Sequence, residues 1–317
     1  MNAALPSFVE AVGDGIHVVD TGFQRERFDA AYLIVERGRA AFVDTGTNFG
    51  VPRLLAALDA LGLARDAVDY VIATHVHLDH AGGVGLLMQQ LPSAQLVVHA
   101  RGARHMIDPT ALYQGALAVY GEAEMARSYG QLVPVPAERV IPTHDGMTIE
   151  LAGRPLAFAD TPGHAKHHHC IWDGVSGGWF TGDTLGLSYR DFDTPHGAWL
   201  IPTTTPVQFE PEALRASVER LLAAGPRWAF LTHFGRIGDV QRAAGTMLGL
   251  LDRVVALGQA HRQAADRHRR LVEGLVDLYG ESLAAHGCRF TRERTWELLG
   301  LDIEINAQGM EIWLDRT

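Results

Sequence analysis

The stretch Thr74-His75-Val76-His77-Leu78-Asp79-His80 decides the reading of this chain. It follows Asp69-Tyr70-Val71-Ile72-Ala73, a short apolar run with the length and β-branched content of a buried strand. Four side chains able to ligate a metal therefore leave one strand end together, and loops at strand ends are where rigid scaffolds mount chemistry. A polar loop that is merely rich in histidine would explain one such residue. It does not explain His-x-His-x-Asp-His, because crowding these groups together without a ligand costs desolvation energy. Imidazole mixed with carboxylate suits zinc, iron or manganese better than calcium or magnesium.

The same pattern, a strand ending in polar residues, recurs on both sides. Ala40–Val43 runs into Asp44-Thr45-Gly46, Trp179–Thr181 into Gly182-Asp183, and Trp228–Leu231 into Thr232-His233. Further strands are expected at 16–19, 31–35, 95–99, 147–149, 156–159 and 170–172. Helices are expected at 51–62, where Gly62 is the stop, at 83–91 and at 210–224. Residues 100–135 place Tyr113, Tyr120 and Tyr129 on helices over the site mouth. After residue 238 the pattern turns helical, with one stripe at Met247, Leu250, Leu251, Val254 and Val255 and another at Leu271, Val272, Leu275, Val276 and Tyr279. A third helix is expected from Thr291 to Leu299 with Gly300 as its stop, and residues 301–314 fit a strand or a helix equally. The expected organisation is an α/β domain over 1–238 and a mainly helical region over 239–317, serving as a cap or a dimer contact.

His75-Val76-His77-Leu78-Asp79-His80 resembles the signature of the metallo-β-lactamase superfamily. Thr161-Pro162-Gly163-His164 resembles its second motif, Thr181-Gly182-Asp183-Thr184 its third and Thr232-His233 its last, while Val43-Asp44-Thr45-Gly46 resembles the strand end beneath the site. The resemblance covers roughly residues 15–237 and implies an αβ/βα four-layer sandwich. It also implies two divalent metal ions, zinc first, with iron or manganese as alternatives. His75, His77 and His164 would hold one ion, Asp79, His80 and His233 the other, and Asp183 would bridge them. With this full set the chain resembles the glyoxalase II and lactonase branch.

The expected activity is metal-dependent hydrolysis of a small-molecule ester, thioester or lactone. Two ions can clamp a substrate oxygen and the attacking oxygen, and bound water becomes hydroxide near neutral pH. Asp79 would orient that hydroxide and Asp183 would neutralise charge between the ions. Three rivals are a phosphodiesterase, a mononuclear iron sulfur dioxygenase-like oxidoreductase, and a ligand-binding regulatory protein of low turnover.

Other residues carry less. Asp44 is expected behind the ligands, orienting one of them, against a plain turn aspartate before Gly46. His167, His168 and His169 cannot all reach one site from a strand, so they are read as backing residues or surface. Tyr189, Phe192 and Trp199 could wall a substrate pocket or pack under a loop. The arginines from Arg253 to Arg270 are read as a solvated helical face.

Composition narrows the partners. Lys and Arg total 27 against 37 Asp and Glu, a net charge of −10, which disfavours nucleic acid as a partner. The opening stretch MNAALPSFVEAVGDGIHVVD lacks the basic start and apolar run of a signal peptide, and no stretch is apolar enough to span a bilayer. A cytoplasmic enzyme without a membrane partner is expected. The two cysteines, Cys170 and Cys288, are read as buried thiols and not a bridge.

Overall fold

The computed structural model describes residues 4–204 and 206–317, so the first three residues of the opening stretch lie outside it. The chain divides into two compact units. The first comprises the residues up to Asp160, with His167–Gly182 and Trp228–Arg236; the second comprises Thr161–Lys166, Asp183–Arg227 and Ile237–Thr317.

The first unit is built on two sheets. Seven strands lie side by side in chain order: β1 (Val9–Gly13), β2 (Ile16–Asp20), β3 (Ala30–Glu36), β4 (Arg39–Val43), β5 (Val68–Ala73), β6 (Gln95–His99) and β7 (Val140–Thr143). The first four pair antiparallel and β4 to β7 pair parallel. Parallel pairing needs crossovers, supplied by α1 (Val51–Ala60), by α2 (Leu78–Ala81) with α3 (Val84–Gln90), and by α4 (Ala100–Ile107) with α5 (Thr110–Glu124). The second sheet runs β8 (Thr148–Leu151), β9 (Arg154–Asp160), β10 (His169–Asp173), β11 (Gly178–Gly182), β12 (Trp228–Leu231) and β13 (Gly235–Ile237).

Side-chain alternation along the strands sorts the core. Ala41, Val43, Ile72 and Val97 face inward with Tyr32, Phe158, Phe180 and Phe230, filling the space between the sheets. The rings of Phe180 and Phe230 stack at 4.6 Å, and Tyr32 meets both edge-on. Phe42, Val71, Leu96 and Val98 face the other way, against Leu54, Leu58, Leu87 and Met88 of α1 and α3. Each large side chain so buried contributes about 1.5–3 kcal/mol.

The second unit holds α6 (Pro211–Ala223), α7 (Val240–His261), α8 (Arg267–His286) and α9 (Arg292–Arg316). The helix expected to stop at Gly300 continues through it, and the ambiguous residues 301–314 are helical. A glycine costs a helix about 1 kcal/mol. Leu299, Ile303, Ala307, Met310 and Leu314 recur at helical spacing and are fully buried, and that burial outweighs one glycine. Trp296 lies over Gly300, where a Cβ would sit 3.1 Å from its ring. Cys170 and Cys288 are buried thiols. Among the described residues no helix is long and apolar enough to cross a membrane.

Candidate metal centre

In the first unit polar residues gather at the carboxyl ends of two neighbouring strands of one sheet and of a strand of the other. Asp44 follows β4, Thr74 and His75 follow β5, and Thr232 and His233 follow β12. Asp44 adopts φ +56°, unusual for a residue with a side chain, and it is almost fully buried. Its carboxylate accepts from Thr74 N at 2.8 Å, Thr74 Oγ1 at 2.9 Å and Thr232 Oγ1 at 2.9 Å, and it meets His80 Nδ1 at 2.9 Å. Asp44 thus ties three strand ends and one imidazole to a single carboxylate.

These bonds fix which nitrogen of each imidazole carries the proton. An ionised carboxylate only accepts, so His80 donates from Nδ1 and turns Nε2 the other way. The Thr74 hydroxyl gives its one proton to Asp44, so its oxygen accepts from His75 Nδ1, 3.2 Å away. His233 donates from Nδ1 to the carbonyl of Phe28 at 3.0 Å. The Nε2 atoms of His80 and His233 lie 3.9 Å and 3.5 Å from Asp79 Oδ2. The ligand atoms of Asp79, His80 and His233 all fall within 4.8 Å of one another, a group that could hold a metal ion. His75 Nε2 lies 2.9 Å from His77 Nδ1, so this second pair also converges.

The second unit repeats the logic with a neutral anchor. His164 follows the turn at Gly163 (φ +130°), where a Cβ would sit 2.2 Å from the backbone nitrogen of Leu214; only glycine lets α6 approach this closely. Thr203 Oγ1 donates to the carbonyl of Asp183 at 3.1 Å. With its proton committed, its oxygen accepts from His164 Nδ1 at 2.9 Å. His164 therefore presents Nε2, which lies 3.4 Å from Asp183 Oδ2. Imidazoles locked through one nitrogen, with the other turned to a carboxylate, are the arrangement of metal-ligating histidines. The nitrogen and oxygen donors fit first-row divalent ions.

Of the two readings of the histidine run, backing residues or surface, the structure leaves the first. β10 begins only at His169, so His167 and His168 lie on the turn before it. All three are buried, which removes the surface reading. His168 stacks on His75 at 4.7 Å, and His167 meets the His77 ring at 5.6 Å. Burial and the neighbouring His77 push His167 down to about 3, which keeps it neutral. His169 turns away, bonding Thr143 Oγ1 at 2.7 Å, and burial pushes it down to about 3 as well. Gly182 (φ +46°) leaves room for this packing: a Cβ there would sit 2.5 Å from His168 Nε2.

Several neighbours gave no signal in the sequence. Thr203 is one. Asp29 is fully buried, with Oδ2 accepting from Thr21 Oγ1 at 2.7 Å; burial pushes its carboxyl up to about 7, while His233 and His80 pull it back. A run of rings leads away from His233 through Phe28 (5.7 Å), Phe23 (5.8 Å), Tyr129 (5.5 Å) and Tyr120 (5.2 Å). Burial and Asp79 push the Tyr120 hydroxyl up to about 12 and the Tyr129 hydroxyl higher still, so both stay protonated donors. Tyr120 lies in α5 as expected, and Tyr129 lies in the helical turn after it. Tyr189, Phe192 and Trp199 are fully buried in the second unit. Phe192 packs on Trp199 at 5.2 Å, Trp199 on Tyr279 at 6.1 Å, and Tyr189 donates to Asp302.

Comparison with known proteins places this arrangement. The crystal structure of ST1585 from Sulfolobus tokodaii superposes with a TM-score of 0.65 at 20% identity, covering 94% of this chain and 98% of that one, so the fold is shared. The hydroxyacylglutathione hydrolase of Serratia proteamaculans is 33% identical over 150 residues, 47% of this chain and 44% of that protein. The bovine acyl-coenzyme A thioesterase MBLAC2 is 28% identical over 200 residues, 56% of this chain and 65% of that protein. The matched region thus spans less than two thirds of either relative. The family model described as the metallo-beta-lactamase superfamily matches residues 11–233, from β1 to the last histidine of the centre. With two mixed sheets, the matching ligand motifs and that span, this chain is a member of the metallo-β-lactamase superfamily.

Proposed function

We propose that this protein is a metal-dependent hydrolase that cleaves a small-molecule thioester, ester or lactone in the cytoplasm at a centre of two divalent ions. His75, His77 and His164 would hold one ion, Asp79, His80 and His233 the other, and Asp183 would bridge them. The observation that carries the reading is the locking of His75, His80, His164 and His233 through Nδ1, which leaves Nε2 of each as the ring atom that would meet an ion. Thioesters come first because one relative is named as an acyl-coenzyme A thioesterase and another as a hydroxyacylglutathione hydrolase.

When bound, such ions supply Lewis acidity and bring water near to hydroxide at neutral pH. The chain's own part is positioning. Asp79 is the less buried carboxylate of the set and orients the attacking water, holding its proton at Oδ. Asp183 would supply negative charge to the ions. The ring run beginning at Phe28 offers an apolar wall to the acyl part.

Metal content per chain, measured on protein purified without added metal or chelator, tests this first. Close to two equivalents of zinc, iron or manganese, with turnover on a panel of thioesters, esters and lactones, is the expected result. One equivalent of iron with oxygen uptake would overturn it in favour of oxygen chemistry.

A further inference from the structure

We propose that Asn306, on α9, is a positioning residue for the metal centre, acting through Thr203 on His164 and Asp183. The inference rests on the reading of His164 and Asp183 as ligands and assigns the last helix a part in it.

The chain of contacts runs wholly within the second unit. Asn306 Oδ1 accepts from Thr204 N at 2.8 Å, and the Asn306 carbonyl accepts from Thr204 Oγ1 at 2.8 Å. Asn306 Nδ2 donates to the Pro202 carbonyl at 3.2 Å and to Tyr279 Oη at 3.2 Å. The residues on both sides of Thr203 are therefore held by one asparagine, itself held by α8. Thr203 in turn both fixes the His164 tautomer and grips the Asp183 backbone. All of these groups are buried, so no water stands ready to replace a lost bond, and an abandoned donor or acceptor keeps its desolvation penalty.

An asparagine on the buried face of a helix is costly unless every polar atom is used. Here both amide groups are used, and the bonds go to backbone on either side of Thr203. A purely structural polar pin could bond anywhere along the 187–204 segment. This one brackets the residue that orients a candidate ligand, so α9 sets ligand geometry in addition to burying apolar surface.

The test uses the full chain and reads zinc affinity by competition with a chromophoric chelator, with the melting temperature of the metal-free protein measured alongside. Thr203→Val should weaken one zinc equivalent by about 10–100-fold, the range for losing a partner behind a metal ligand, and Thr203→Ser should restore it. Asn306→Ala should weaken the same equivalent, and the double variant should lose less than the product of the two single losses, because both act on one geometry. Wild-type zinc affinity in Asn306→Ala, or losses that multiply in the double variant, would overturn the inference. If Asn306→Ala fails to fold, the spectrum of the cobalt-substituted Asn306→Asp protein decides: an altered coordination band supports the inference and an unaltered one overturns it. His164→Ala separates the two levels. Unchanged zinc affinity there removes the reading of the centre and the inference with it, whereas a loss there without a loss in Asn306→Ala overturns the inference alone.

Discussion

Both units anchor a histidine on a threonine hydroxyl, His75 on Thr74 and His164 on Thr203, but the first unit adds an anion. In the first, an anionic carboxylate, Asp44, gathers Thr74, Thr232 and His80. In the second, a neutral hydroxyl, Thr203, links His164 to the Asp183 backbone. A carboxylate behind an imidazole both orients it and raises its basicity, and a neutral hydroxyl does the second more weakly. The Asp44 anchor is also the more exposed to failure, because removing it strands several buried donors at once.

The comparison can be broken at several depths. The largest effect is expected from Asp183→Asn, which takes away the proposed bridging charge: hydrolysis should fall by a factor on the order of 10³ or more, and one metal equivalent should weaken. Full activity would remove the bridge. Next comes Gly163→Ala. Its Cβ would meet the α6 backbone, not a movable side-chain tip, so a destabilisation of about 3 kcal/mol or more is expected in urea unfolding; a loss below 1 kcal/mol would show that α6 can retreat. Asp44→Asn should cost about 2–3 kcal/mol of stability and about tenfold or more in zinc affinity. If it costs no more than Thr203→Val, charge at the anchor is irrelevant and only geometry counts.

The smallest effect is a pH dependence. The folded pKa of His169 lies near 3 against an unfolded value near 6.5, so below pH 6.5 the unfolded state binds more protons. The stability from keeping it neutral is complete above pH 6.5 and is lost as pH falls toward 3. His169→Asn should therefore flatten the decline of the metal-free melting temperature between pH 6.5 and pH 5, a slope on the order of 1 kcal/mol per pH unit. An unchanged slope would place the acid sensitivity elsewhere.

The candidate ligands were legible because their motifs follow strands whose apolar runs end abruptly, and Asp44 stood out for the same reason. The helices of the second unit were legible as stripes, but the end of α9 was not: Gly300 reads as a stop by propensity and is overruled by the burial of Leu299 and Ile303. Of the two readings of the histidine run, surface fell because all three residues are buried, which the sequence pattern around a turn and a strand start does not reveal. Thr203 and Asn306 carry no local signature at all. Threonine and asparagine are commonplace, and the bonds that give these two meaning join residues far apart in the chain.

The dependence of Thr203 on α9 has a consequence for how the protein is made. Synthesis proceeds from the amino end, so Asp79, His80 and His233 all exist once residue 233 has been added, and their anchor Asp44 long before. His164 and Asp183 also exist by then, but the helix that steadies Thr203 is made afterwards. If the centre takes two ions as proposed, one half would be complete during biosynthesis while the other still awaited its support, and the chain itself would impose an order on metal loading.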